Sequence, residues 1–194
     1  MFIEVGFLSY IINRFIGIFP IKHPIDSMSD YINSFKERFY QDTISQGAIL
    51  STTLILITLG VVYLIDLYIG YMTNFYVKVT LLSIISSMMI SSKVSDKSIL
   101  TNGVVAPLFY LILFGIEGPF VYKAIETLNS MVAKDGEFGK VSLNLYKIVN
   151  YIPSYITSIF KDKIIEDKSF QKRLDISIVA FFIIALLINY FISK

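Results

Sequence analysis

The residues that could take part in chemistry are few, and they fall in short islands of an otherwise apolar chain. The only histidine, His23, stands between Pro20 and Pro24. Two prolines so close favour an extended or turn conformation and keep the imidazole out of a regular helix. His23 is therefore either a positioned group at the mouth of a site or part of a turn at the membrane interface. Without a neighbouring cysteine or carboxylate pair, it makes a poor transition-metal site.

Two further islands place an amide side chain beside a break in the backbone. Asn102 and Gly103 interrupt the uncharged run 98–116, and Pro153 follows Asn150 by three residues. A polar step inside an apolar run exposes backbone groups that the protein must satisfy internally. Asn102 and Gly103 thus either line a binding cavity or mark a plain helix end. Asn150 stands where a proline is expected to break a helix.

The fourth island carries charged groups. Glu126 and Asn129 are three residues apart and share one helix face, with Lys123 one turn earlier. Ionisable groups at membrane depth are candidates for function. The structural alternative is a Lys123–Glu126 pair that neutralises itself. The mixed-charge run 161–173 predicts a solvated helix next to the membrane, with attraction to anionic lipid or phosphate as the alternative.

The composition determines which elements can position these islands. Of 194 residues, 55% are hydrophobic and 16% are charged, whereas soluble domains carry about 25% charged residues. This excludes a soluble catalytic domain, and the abundance of phenylalanine and tyrosine excludes disorder. The net charge of +2 is too small to indicate nucleic-acid binding. The sequence contains no phosphate-binding loop, dinucleotide fingerprint or serine–histidine–aspartate order.

These observations predict an all-α, polytopic integral membrane protein with one domain, residues 1–194. About four spanning helices are expected, together with amphipathic or re-entrant helices around a site. The lysine- and arginine-rich loops place that site on the cytoplasmic side of a multi-pass protein of the cell membrane. The expected spans are 43–66, 71–92, 98–116 and 175–193, and the amphipathic or interior helices are 2–19, 118–133 and 141–160.

In their order along the chain, the islands resemble one known family. The segment Thr101–Val132 (TNGVVAPLFYLILFGIEGPFVYKAIETLNSMV) resembles the central signature of the adenosylcobinamide-phosphate synthases, the CobD/CbiB membrane proteins of cobalamin biosynthesis. His23 and Pro24 stand where that family has its own His-Pro pair. The segment Gly139–Thr157 is similar in spacing to the closing block of the family, although Tyr146 stands where aspartate is common.

The resemblance implies a magnesium- and ATP-dependent amide synthesis, in which adenosylcobyric acid is joined to aminopropanol or its phosphate. It also implies corrinoid and aminopropanol-type ligands in a lipid membrane, and either a homo-oligomer or other membrane proteins of the pathway as partners. The alternatives are a non-catalytic relative that binds a corrinoid or scaffolds the pathway, and an unrelated small membrane protein. The implied site residues are Glu126 and His23 for catalysis, Asn102, Gly103, Asn129 and Asn150 for substrate binding, and Glu126 and Asp96 for the metal.

Overall fold

The computed structural model describes residues 2–16, 22–91, 100–159, 172, 174–180 and 182–184. Within these residues the protein is helical, with short connections and no strand, so the predicted all-α class is confirmed. A π-helical turn, Leu100–Val105, leads directly into α5. The α-helices are α1 (Phe2–Phe15), α2 (Pro24–Phe39), α3 (Ile44–Gly70), α4 (Phe75–Ser87), α5 (Ala106–Phe114), α6 (Glu117–Val132) and α7 (Lys140–Ile159).

Helix α3 is the one described helix that is both long and apolar enough to cross a membrane. Its 27 residues exceed the roughly 20 that span a hydrocarbon core. It exposes large apolar side chains such as Leu56 and Leu64, as expected for a surface in contact with lipid.

The other three predicted spans have a different form. Helix α4 is only 13 residues long. The run 98–116 is divided between the π-helical turn and α5, and most of 175–193 lies outside the described residues. One crossing is therefore supported, and four crossings stay a prediction.

Helix α6 is the centre of the bundle, because it packs against α2, α3, α5 and α7. Ala124 and Leu128 on this helix are fully buried. A glycine permits its closest contact: a Cβ atom on Gly118 would lie 2.1 Å from the carbonyl oxygen of Tyr110. Gly47 on α3 is similarly tight, since its Cβ would lie 2.0 Å from the carbonyl oxygen of Phe138. Glycines thus permit close backbone contacts between α5 and α6, and between α3 and the connection that precedes α7.

The π-helical turn has a local cause in Pro107. Proline has no N–H, so Pro107 cannot donate to the carbonyl of Gly103 as an α-helical residue would. The backbone N–H of Ser91 donates to that carbonyl instead, at 2.7 Å. The break predicted at Asn102 and Gly103 is therefore neither an ordinary helix end nor an open loop.

A second proline acts in the same way on α7. Pro153 lies inside this helix and leaves the carbonyl of Val149 without its helical donor. The hydroxyl of Tyr110 donates to the Val149 carbonyl at 2.6 Å. The helix continues through the proline to Ile159 rather than ending there. A side chain of α5 thus completes the backbone hydrogen bonding of α7.

The described C-terminal residues are tied to the first helix by polar contacts. The hydroxyl of Tyr10 donates to Asp175 at 2.5 Å, and the guanidinium of Arg14 donates to the other carboxylate oxygen at 3.0 Å. Burial and then the hydrogen bond to Asp175 raise the pKa of Tyr10, so its phenol remains a donor. These bonds join α1 to the opposite end of the chain.

Substitutions of two glycines on α3 test the close approach at Gly47. Gly47→Ala should destabilise the protein by about 1–3 kcal/mol, because its Cβ would overlap a backbone atom that cannot rotate away. Gly60→Ala meets nothing within 4 Å and should be neutral or stabilising, by up to about 1 kcal/mol. Thermal unfolding in detergent measures both, and equal effects would contradict the packing at Gly47.

The bond between Tyr110 and Val149 can be tested by a double-mutant cycle. Tyr110→Phe should cost about 1–3 kcal/mol, because the Val149 carbonyl loses its donor. In the Pro153→Ala background the restored N–H can occupy that carbonyl, so Tyr110→Phe should cost little. Equal costs in both backgrounds, measured by unfolding in the same detergent, would show that the proline does not create the need for this bond.

Candidate functional site

Four polar side chains meet between the π-helical turn, α6 and α7, and we refer to them as the amide–tyrosine cluster: Asn102, Tyr122, Tyr146 and Asn150. Asn102 Nδ2 and Asn150 Nδ2 each donate to the Tyr146 hydroxyl at 2.9 Å. The Tyr122 hydroxyl lies 3.1 Å from Asn102 Oδ1 and 3.2 Å from Asn150 Oδ1. Asn102 and Asn150, two of the residues predicted from sequence to bind substrate, are therefore brought together.

The local structure explains how each member of the cluster is positioned. Tyr146 and Asn150 are four residues apart and so lie on one face of α7. Asn102 comes from the π-helical turn, a type of turn that is frequent at functional sites. Tyr122 is held by its ring, which stacks on the ring of Tyr110 with centroids 5.5 Å apart. Tyr110, whose hydroxyl completes the backbone hydrogen bonding of α7, thus also orients the ring of Tyr122.

The tyrosines of the cluster are held in their neutral form. Burial, and then the negative charge of Glu126, raise the pKa of Tyr122. Burial also raises the pKa of Tyr146, although its hydrogen bond with Asn102 acts in the opposite direction. Both phenols remain protonated at physiological pH and can donate as well as accept. The cluster is an uncharged set of donors and acceptors.

A nearby ion pair supplies the charges. Lys123 Nζ donates to Glu126 Oε2 at 2.6 Å, which is the pairing considered above as the structural alternative. Lys123 is only 8% exposed, so the pair is largely removed from water. Glu126 lies four residues after Tyr122 on α6, so the two side chains share one face of that helix. One carboxylate and one ammonium therefore accompany the cluster, with no net charge.

The structure places the remaining predicted site residues as follows. His23 is the N-cap residue of α2, and its Nδ1 accepts from the backbone N–H of Ile25 at 3.3 Å. Gly103 is buried, with its carbonyl occupied by Ser91. Asn129 Oδ1 is buried and has no hydrogen-bond partner among the described residues. Asp96 lies outside the described residues.

The grouping of these residues differs from the one that the resemblance implied. Asn102 and Asn150 meet, and Glu126 lies one turn after Tyr122 on α6. Within the described residues, no hydrogen bond joins His23 or Asn129 to the cluster. Sequence reasoning named Tyr146 only as a departure from the family pattern, and it did not name Tyr122, because nothing distinguishes Tyr122 among 13 tyrosines. The spacing of four residues from Tyr146 to Asn150 is a signal that could have paired those two side chains on one helix face.

A cavity of about 360 Å³ lies between α3, α5, α6 and α7, next to the cluster. Leu59 and Val149 form apolar parts of its wall, and the rings of Tyr110 and Tyr122 form another part. The carboxyl group of Glu117 also lines it. Burial, and then the neighbouring charge of Asp66, raise the pKa of Glu117. The cavity is mainly apolar, with polar groups at a few points of its wall.

The magnesium ligands that the resemblance implies are Glu126 and Asp96, and of these two only Glu126 lies within the described residues. Mg²⁺ in enzymes of phosphate chemistry is usually held by one or two carboxylates and the phosphates of the substrate. The described residues contain no group of three metal-ligating side chains, and an oxygen of Glu126 is already bonded to Lys123. The magnesium site therefore stays a prediction, with Glu126 as the predicted ligand that the structure describes.

Comparison with known proteins matches the part of the chain that carries the amide–tyrosine cluster. The model of the CobD/Cbib protein family matches residues 97–164, the stretch that carries all four residues of the amide–tyrosine cluster. The probable cobalamin biosynthesis protein CobD of Methanococcus aeolicus is 28% identical over 79% of this chain and 68% of that protein. No solved structure matches the chain.

Two shorter matches have higher sequence identity. The proteins of the same description from Thermococcus kodakarensis and Archaeoglobus fulgidus are each 44% identical to this chain. Each match covers 30% of this chain, and only 21% and 22% of those proteins respectively. The resemblance predicted from the order of the motifs is confirmed: this chain is related to the CobD/Cbib protein family, with the match concentrated in residues 97–164.

Proposed function

We propose that this protein acts at a membrane in cobalamin biosynthesis, in the step that joins the carboxylate of adenosylcobyric acid to the amine of aminopropanol or its phosphate. The relatives named above are described as probable cobalamin biosynthesis proteins. The observation that carries the proposal is the amide–tyrosine cluster, which lies within the segment matched by the family model.

The chemistry of the cluster suits a ligand with neutral amide groups. Asn102 and Asn150 each offer a donor and an acceptor, and so can pair with both edges of another amide. The two phenols add donors that do not ionise at physiological pH. A corrinoid carries amide groups on its side arms, so one arm can replace the bonds that the cluster residues make with one another.

The size of the cavity limits what can enter it. Binding pockets for small molecules usually measure about 300–1,000 Å³, and the cavity beside Tyr122 is at the lower end with 360 Å³. A corrin ring with its adenosyl group is too large for this space. The cavity can hold a side arm and a small amino alcohol, with the ring outside.

Glu126 is the residue of the site that can act on the amine. Amide formation removes a proton from the attacking nitrogen, and a carboxylate beside the reacting groups can accept it. The ammonium of Lys123 must first move away from Oε2, at 2.6 Å, for that oxygen to be free. ATP, when bound, would activate the substrate carboxylate, so that phosphate is the group that leaves when the amide bond forms; Glu126 is the predicted magnesium ligand that the structure describes.

A second candidate function is favoured by the same ion pair. If Lys123 stays on Glu126, the site retains a neutral cluster without a free carboxylate. Such a site can bind a corrinoid without catalysing amide formation. A non-catalytic relative that binds a corrinoid or scaffolds the pathway is the alternative function.

The assay for synthesis uses the full chain in detergent with adenosylcobyric acid, ATP, magnesium and aminopropanol phosphate. We expect the amide product by mass spectrometry, and about 100-fold less of it with Glu126→Gln, because the proton acceptor is lost. Glu137→Gln is the control, since Glu137 forms an exposed ion pair with Lys140. Absence of product together with measurable corrinoid binding would reject the synthase and support the non-catalytic alternative.

A separate binding experiment tests the cluster itself. Tyr146→Phe and Asn150→Ala should each weaken binding of adenosylcobyric acid about tenfold, because a hydrogen bond is worth about 1 kcal/mol and an unpaired buried group costs more. Tyr151→Phe and Asn144→Ala are matched controls on the exposed face of the same helix and should leave affinity unchanged. If the two control variants lose as much affinity as the two cluster variants, the cluster does not bind the corrinoid.

A further inference from the structure

The cavity beside Tyr122, with a volume of about 360 Å³, contains a carboxylate that the proposed function does not use. Glu117, the first residue of α6, lines this cavity and is partly buried. Glu117 and Glu126 are nine residues apart, so they lie on opposite faces of α6 and about 13 Å apart along its axis. The carboxylate of Glu117 therefore belongs to a site separate from that of Glu126.

The turn between α5 and α6 places the Glu117 carboxylate in the cavity wall. Gly115 follows the last residue of α5 and has a φ of 71°, in the left-handed region that favours glycine. A Cβ atom on Gly115 would lie 3.3 Å from Glu117 Oε2, so the carboxylate lies close over the turn. Glycine at this position thus leaves the space that the carboxylate occupies.

No cation of the described residues pairs with this carboxylate. Glu117 takes part in none of the ion pairs that the described residues form. Burial, and then the negative charge of Asp66 on α3, raise the pKa of Glu117. Asp66 also forms none of these ion pairs, and its buried Oδ1 atom has no hydrogen-bond partner among the described residues. The surroundings of Glu117 therefore lack positive charge, and a cation in the cavity would favour its ionised form.

Three aromatic rings stand in a row in the wall of the same cavity. The ring of Tyr110 stacks on that of Phe114, with centroids 6.1 Å apart, and on that of Tyr122, with centroids 5.5 Å apart. All three residues line the cavity together with Glu117. The π electrons of aromatic rings attract cations, and such rings are used to recognise ammonium ligands. The rings and the carboxylate thus favour the same kind of ligand.

We infer that this cavity binds a small organic cation, whose ammonium group lies between the carboxylate of Glu117 and the aromatic rings of the wall. Leu59 and Val149 provide apolar surface for the carbon chain of such a ligand. None of the described residues that line the cavity is a lysine, an arginine or a histidine, so a phosphate group would find no cationic partner there. The ligand is therefore a free alkylammonium or amino alcohol rather than a phospholipid headgroup, in which a phosphate lies close to the ammonium.

The binding site does not depend on the proposed function, because Glu126 is on the other face of α6. The two are connected in one respect, since aminopropanol belongs to the ligand class that the cavity suits. The cavity would then hold this amine before it reaches Glu126, and that consequence alone rests on the proposed function.

Two ligands of similar shape separate the effect of charge from that of size. Aminopropanol carries an ammonium group near neutral pH, and propanediol has a hydroxyl group in its place. Binding of each to the full chain in detergent is measured by saturation-transfer NMR, with protein-free micelles as the blank. We expect aminopropanol to bind about tenfold more tightly, because hydrogen bonds between charged groups are stronger than neutral ones.

The variants assign this preference to the residues of the wall. Glu117→Gln should lower the affinity for aminopropanol to that for propanediol and leave the affinity for propanediol unchanged, which shows that the cavity is intact. Phe114→Leu should weaken aminopropanol binding about threefold through loss of the ring. Glu37→Gln removes an exposed carboxylate of α2 and is the control, with no expected effect.

Three results would overturn the inference. The first is equal affinity of the unaltered chain for the two ligands, or a preference for the amine that survives Glu117→Gln. The second is loss of both ligands in Glu117→Gln, which would give Glu117 a role in the shape of the cavity alone. The third is displacement of aminopropanol by phosphatidylethanolamine but not by phosphatidylglycerol, which would identify a lipid headgroup. Because neither adenosylcobyric acid nor ATP is present, each result is independent of whether the chain forms the amide.

Discussion

The arrangement of the site depends on one constraint, which is that a backbone carbonyl without a donor is costly in an apolar interior. Such a group costs about 1–3 kcal/mol in a protein core, and more where no water can reach it. Pro107 and Pro153 each remove a donor inside a helical segment. Each freed carbonyl is then satisfied from outside its own helix, by Ser91 in one case and Tyr110 in the other.

These replacement bonds also determine where the polar side chains lie. The turn before Pro107 carries Asn102, and the turn before Pro153 carries Asn150. Tyr110, which donates to the backbone of α7, stacks on Tyr122 and so fixes the ring whose hydroxyl lies between the two amides. The prolines thus act on the cluster through backbone hydrogen bonding, although neither proline is part of it.

The sequence was sufficient to predict the helical class, the long apolar helix α3 and the helices around 118–133 and 141–160, because these follow from composition and spacing. It also identified Asn102 and Asn150 as polar groups beside backbone breaks. It could not predict that they meet, because Tyr122 and Tyr146 bridge them through contacts between elements 20 to 48 residues apart. His23 was selected as the lone histidine, whereas its observed bond caps α2, a role that any N-cap acceptor can perform.

The charged groups of the site neutralise each other. The partly buried carboxylate of Glu126 is paired with the ammonium of Lys123 on the same helix. Tyr146, which accepts from both amides of the cluster, is kept uncharged by burial. A neutral inner face lowers the cost of burying this side of α7 against its neighbours, because no isolated charge has to leave water. A site of this kind is best suited to ligands that it recognises by amide hydrogen bonds rather than by charge.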